Sequence, residues 1–305
     1  EADAVDRAQF DASMRTNIEL HAEHRGRMSN MPAGLAPLDR IVPTATSLHL
    51  PGPVEISPPA DGSERWPGIA EIEPLGVTVA RLAGERFGDR VTGVGFTAPR
   101  TSLVRIGGRA GILIERYDRR RLDDGALERV HQEDGCQVLG LEPSAKYQRG
   151  DGPPSLRAFA AAIAQHGSDA LLDQRALLQQ VTYSMCVANA DLHAKNLSLL
   201  HDDGVRLAPL YDVVATSVYT DVDAELGLQV GGEYHLDDIT RASLVDEAGR
   251  WGLGAAGAAR AIDAVLDAVD ALVDDVAAAL PTAGAATSLV EQAVTTTRRR
   301  AATLR

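Results

Sequence analysis

Two short apolar runs, residues 197–200 and 205–210, are separated by His201-Asp202-Asp203-Gly204. Asp-Gly between apolar runs is a strong hairpin signal, so the runs predict an antiparallel pair. That pairing fixes the polar residues around it. Asn196, just before the first run, and Asp212, just after the second, meet at one end of the hairpin. Asp191 sits one loop earlier, close to both. Three oxygen-bearing side chains at a strand end suit Mg²⁺, which takes one or two carboxylates plus phosphate oxygens and water.

An Asp, four intervening residues, an Asn, a hairpin and a second Asp form the polar skeleton of a phosphoryl-transfer site. In such sites the first Asp takes a proton, and the Asn and second Asp hold metal. His193 and Lys195 lie inside the same loop and join Asp191 as candidate catalytic residues. The plainer alternative is a set of loop polars in which Asn196 and Asp203 serve turns. All three oxygen donors at this spacing favour the chemical reading.

The chain has 305 residues, 45% hydrophobic and 24% charged, enough for two lobes with a continuous core. No apolar run approaches the ~18–20 residues that span a bilayer, and no signal peptide is evident. The chain opens at Glu1 rather than Met, which leaves room for an upstream piece. A net charge of −13 makes the chain alone a poor nonspecific binder of nucleic acid. Arg298-Arg299-Arg300 is a local exception, read as a solvated helix end. Cys136 and Cys186 stand apart with no metal or disulfide spacing, which fits a reducing cytoplasm. Lysine occurs only at Lys146 and Lys195.

Patterning predicts helices over residues 8–24, 68–83, 155–166 with Ser155 as N-cap, 173–188, 237–251 and 255–280, and a last one running to about Thr303. Residues 52–66 read as a proline-rich loop. Residues 103–106 and 111–114 predict a second hairpin. Asp263, Asp267, Asp270, Asp274 and Asp275 fall largely on one helix face, expected to be solvated.

Further text extends the pattern. Leu113-Ile114-Glu115-Arg116-Tyr117-Asp118-Arg119, Arg129-Val130-His131-Gln132-Glu133-Asp134 with Gln137, Lys146-Tyr147 followed by Gly152-Pro153, and Gly231-Gly232-Glu233-Tyr234 join the two motifs above. Together they resemble the HipA family of bacterial serine/threonine kinases, the toxins of HipA–HipB toxin–antitoxin pairs, over roughly residues 68 to 300. The resemblance implies an α+β, bilobal protein-kinase-like fold, with a small β-containing N-lobe over residues 1–114 and a larger, mostly helical C-lobe over 115–305. It implies ATP and Mg²⁺ as cofactors, Asp191 as the catalytic Asp, and Asn196 and Asp212 as metal ligands. Glu115 and Tyr117 would present backbone groups to adenine. Glu73 falls where the family has a Glu opening its N-lobe helix. The implied partners are a HipB-like DNA-binding antitoxin and a protein substrate.

The chain departs from that family at the nucleotide. The phosphate-holding Lys belongs on a strand just before a Pro, and here Leu48-His49-Leu50-Pro51 puts His49 in its place. The phosphate-cradling loop is matched only by residues 29–37, where Gln and Lys are missing and Pro32 and Pro37 remove backbone donors. Three functions therefore stand side by side. They are a HipA-type protein kinase, weak or conditional in its activity; a kinase-like protein that acts by holding a partner; and a small-molecule phosphotransferase. Residues 113–119, which resemble that family's hinge, and the 129–134 signature count against the third.

Overall fold

The computed structural model describes residues 48–49, 54–57, 68–106, 109–220, 222, 224–280 and 285–305. The expected helix over 8–24 and the loop at 29–37 lie outside the described residues. Strands β1 (Leu48–His49), β2 (Val54–Ser57), β3 (Thr101–Ile106) and β4 (Arg109–Glu115) form an antiparallel sheet in the order β1-β2-β4-β3. The 103–114 hairpin is present and longer than its apolar runs. Residues 54–57 correct the loop expected across 52–66. Val-Glu-Ile-Ser alternates over four positions between prolines, long enough to pair with β4.

Helix α1 (Ile69–Arg86) follows. Its apolar face enters a core shared with α4 (Ala170–Cys186), α6 (Ala255–Ala279) and α7 (Ala285–Leu304). Gly76 permits close packing there. A Cβ built on it would lie 2.5 Å from the carbonyl oxygen of Val213, and the Tyr183 hydroxyl donates to the Gly76 carbonyl at 2.6 Å. Ile72, Phe96 and Val94, on the N-terminal side of residue 114, belong to the same core as Leu177, Leu178 and Val265.

Beyond β4 come the hairpin β5 (Arg119–Arg121) and β6 (Leu127–Arg129), then β7 (His131–Asp134) and the short α2 (Gly135–Val138). Helix α3 (Leu156–His166) starts at Ser155, whose hydroxyl accepts from Ala158 N–H at 3.1 Å. Helix α4 begins three residues earlier than its sequence pattern suggests and is buried on nearly all sides. Its Gln179 is fully buried with its amide satisfied: Nε2 donates to Gly93 O and Ala261 O, and Oε1 accepts from Gly95 N. Strands β8 (Ser198–His201) and β9 (Val205–Leu207) join β7 in a three-stranded sheet. Strands β10 (Glu225–Val230) and β11 (Glu233–His235) lead to α5 (Arg241–Arg250). Residues 237–240, expected to be helical, are instead a 3₁₀ turn and a capping box at Thr240.

The acidic face of α6 is solvated but paired. Asp263 meets Arg241 at 2.8 Å, Arg305 reaches Asp267 and Asp270, and Arg298 contacts Asp274. Exposed pairs of this kind contribute little each. Arg300 corrects the reading of 298–300 as solvated. It is buried, and it donates to Ile239 O at 3.0 Å and Met185 O at 3.3 Å. It ties α7 to the end of α4 and to the entrance of α5. Arg300→Ala is expected to cost about 1–3 kcal/mol through its lost hydrogen bonds, read as a lower urea midpoint at unchanged slope.

Candidate active site

Two residues past the end of helix α4, Ala188 adopts a left-handed φ of 59°. There the chain turns sharply, and the N–H groups of Val187, Ala188 and Asn189 fold back onto the last helical carbonyls. Asn189 then holds both sides of the site. Its Oδ1 accepts from Asp191 N–H at 3.1 Å, and its Nδ2 reaches the Asp212 carbonyl at 3.5 Å. Ala190 N–H is caught by the buried Thr216 hydroxyl at 2.8 Å. Residues 194–196 form a 3₁₀ turn, and Asn196 Nδ2 donates to the Asp191 carbonyl at 2.9 Å. Gly227 lies beneath the loop, where a Cβ would meet Leu192 O at 2.6 Å and His193 Cβ at 2.7 Å.

The β8–β9 hairpin forms as the sequence predicts, with Asp203 and Gly204 both at positive φ in its turn. Leu199 pairs with Leu207 and His201 with Val205. At the open end the Tyr211 hydroxyl bridges Ser198 Oγ at 2.6 Å and the Lys195 carbonyl at 2.7 Å. Leu210 N–H donates to Thr97 O at 2.7 Å. These bonds set Asp212, at φ 54°, beside Asn196. Asp tolerates that left-handed conformation better than most residues. The 129–134 motif is structural here. Asp134 and Gln137 cap α2 reciprocally, and Gly135 N–H donates to Leu197 O at 2.8 Å, anchoring the residue after Asn196.

Lys146 belongs to this site; the sequence marked it within the Lys146-Tyr147 motif but gave it no role. The 3₁₀ turn Pro143–Ala145 presents it, and its carbonyl accepts Ala194 N–H at 3.1 Å. Its ammonium lies 4.8 Å from the Tyr147 ring centre, and that ring packs edge-on against His193 at 5.6 Å. The signal was its rarity: the chain uses arginine nearly everywhere else.

The electrostatics are those of a crowded acidic mouth. Water reaches both carboxylates, yet protein surrounds them on most sides, and loss of solvent raises the pKa of each. Asp191 raises Asp212 further. The Lys146 charge opposes the rise in both, and a hydrogen bond from Asn196 also lowers Asp212. His193 is buried, and burial followed by the Lys146 charge pushes its pKa down to about 4. It is a neutral imidazole at neutral pH. Its Nε2 lies 3.7 Å from Asp191 Oδ1, and its buried Nδ1 has no hydrogen-bond partner. Lys195 contributes charge near His193 and an anchoring carbonyl. Two carboxylates with raised proton affinity, beside a side-chain amide and a single opposing ammonium, are a donor set that fits a hard divalent cation.

The remaining candidates fall elsewhere. Glu115 closes β4 at the surface, and its N–H is committed to Arg100 O at 2.9 Å, leaving its carbonyl as the group to offer. Tyr117 packs on Tyr211, with ring centres 6.0 Å apart, which joins the segment after β4 to the turn that carries Asp212. Asp118 is buried between Arg116 and Arg119. His49 pairs with Glu55, and Glu55 with Ile114, so its backbone lies two strands from the end of β4. Glu73 does not open a helix. It lies one turn inside α1, which begins at Ile69.

Comparison with known proteins agrees with this arrangement. A putative kinase of Sinorhizobium fredii, Y4mE, is 34% identical over 57% of this chain and 39% of its own length. The serine/threonine-protein kinase toxin HipA of Shewanella oneidensis is 26% identical over 48% of this chain and 36% of its own. The chain thus spans less than half the length of these curated relatives. Among solved structures, a chain of the Shewanella oneidensis complex of HipA, HipB and operator DNA superposes with a TM-score of 0.70 at 21% identity, covering 84% of this chain and 59% of that one. The Helicobacter pylori proinflammatory kinase CtkA superposes at 0.53 and 11% identity, covering 85% and 90%. Both share the α+β, kinase-like fold. The HipA-like C-terminal domain profile matches residues 89–276, more than half of the sequence, and the chain belongs to that family.

Proposed function

We propose that this chain is a HipA-type serine/threonine protein kinase that transfers phosphate from Mg-ATP to a protein hydroxyl. In this reading it acts in the cytoplasm as a toxin restrained by a HipB-like antitoxin, with residues 1–114 as the N-lobe and 115–305 as the C-lobe. The supporting observation is the convergence of Asp191, Asn196 and Asp212 at one mouth, opposed by Lys146. Among the described residues no helix is long and apolar enough to cross a membrane.

Each residue then has a task. Asp191 accepts the proton of the attacking hydroxyl, helped by a proton affinity already above that of an ordinary Asp. Asn196 and Asp212 would hold Mg²⁺, which would supply charge neutralisation for the phosphate oxygens. Neutral His193 and Tyr147 wall the mouth. Adenine would sit along the Glu115 carbonyl and Tyr117 backbone, with Glu73 and His49 on the N-lobe side.

His49 gives a second reading its specific support. With no Lys on that strand, the chain would hold a partner without efficient transfer. One experiment separates the two. The protein is incubated with γ-labelled ATP and Mg²⁺ and read by intact mass. Slow autophosphorylation is expected, rising about tenfold in His49→Lys as a charged phosphate contact is restored. Absence of both label and Mg-ATP binding in parent and variant would leave the holding role.

A further inference from the structure

Strands β7 and β8 carry a second group of ligating side chains outside the active site. His131 pairs directly with His201 across the two strands, and Glu133 lies two residues along on the same face as His131. Glu133 Oε2 is 2.6 Å from His201 Nε2, and the two imidazole rings are 5.0 Å apart, tilted by 46°. One ligand atom from each residue lies within 4.8 Å of the other two. His131 and His201 are exposed and Glu133 half-buried, so a solute can reach all three.

We propose that His131, Glu133 and His201 form a binding site for a divalent transition-metal ion of the zinc class. Two imidazoles and one carboxylate are the donors that Zn²⁺ and its neighbours prefer, whereas Mg²⁺ prefers oxygen alone. Bonds of about 2.0–2.2 Å place tetrahedral ligands roughly 3–3.5 Å apart. The Glu133–His201 pair is already closer than that, and a side-chain rotation of exposed His131 closes the third side. Three protein ligands leave a fourth position for water or a partner's side chain.

The site is separate from the Asp191 mouth. It lies at the outer end of the β7–β8 ladder, while Asp134 and Ser198 pair at the other end, three residues or roughly 10 Å away. A metal there would pin β7 to β8, the strand that leads back to Asn196. The inference does not depend on phosphoryl transfer.

Zinc chloride titrated into the full chain by calorimetry tests it, with Mg²⁺ in large excess to occupy the oxygen-rich mouth. One equivalent of Zn²⁺ is expected to bind and to raise the thermal midpoint. His131→Ala and His201→Ala should each lose that equivalent. Glu133→Gln should weaken it by more than about tenfold, since even outer partners of a metal ligand matter at the 10–100-fold level. His131 and His201 are exposed and Glu133 half-buried, so the metal-free midpoint is expected to change little, which checks that the variants fold. No zinc binding by the parent, or binding of equal stoichiometry and affinity by the His131→Ala/His201→Ala double variant, would overturn the proposal.

Discussion

Asp212→Asn is expected to lower phosphate transfer about a thousandfold while leaving the thermal midpoint equal or higher. In the proposed role Asp212 is a charged cation ligand, whose removal would forfeit several kcal/mol of transition-state stabilisation, at a tenfold change per 1.36 kcal/mol. The stability direction follows from the raised pKa of Asp212. A carboxyl whose folded pKa lies above its unfolded value holds its proton more tightly when folded. Stability therefore falls as pH rises through that window, and at neutral pH the ionised group is a burden. Asn removes the burden and the repulsion from Asp191 together. Mg²⁺ should raise the midpoint of the parent and not of the variant. A variant that turns over Mg-ATP like the parent would remove Asp212 from the site.

The next largest effect is expected at Lys146. Lys146→Met should reduce transfer by about ten- to a hundredfold, the worth of a charge-assisted contact, because one ammonium opposes both carboxylates. Its loss raises the proton affinity of Asp191 and Asp212, so the acidic limb of the pH–rate profile moves to higher pH. The same loss moves His193 upward from about 4, since Lys146 now holds it down. Lys146→Arg should recover most of both. An unshifted acidic limb in Lys146→Met would show that this charge does not reach the carboxylates.

What sequence reveals here is whatever depends on local chemistry. Asp203-Gly204 announced the β8–β9 hairpin because so few residue pairs accept its turn, and pairing alone then carried Asn196 to Asp212. Ser155 announced the start of α3 by its hydroxyl. Long-range placement was not legible. Lys146 joins Asp191 only after α3, α4 and the loop between have packed, so spacing along the chain says nothing of it. Arg300 sits in a run of three arginines, and only the neighbouring carbonyls of Met185 and Ile239 distinguish it from Arg299. Val54 to Ser57 was hidden by its flanking prolines, and its strand exists because β4 offers a free edge. The start of α1 was legible, read at 68 and found at Ile69, whereas the place of Glu73 at a helix opening came from the resemblance alone.

The glycine at position 76 has a mechanical consequence. Helix α1 rests directly on the backbone of the residue after Asp212, with no clearance for even a methyl group. Two parts in contact without play move as one. The backbone that carries Asp212 can shift toward α1 only if an 18-residue helix moves against α6 and α7 with it. The placement of a single carboxylate is thereby tied to the seating of the whole fold, and a push on the far end of α1 is a push on the backbone beside Asp212.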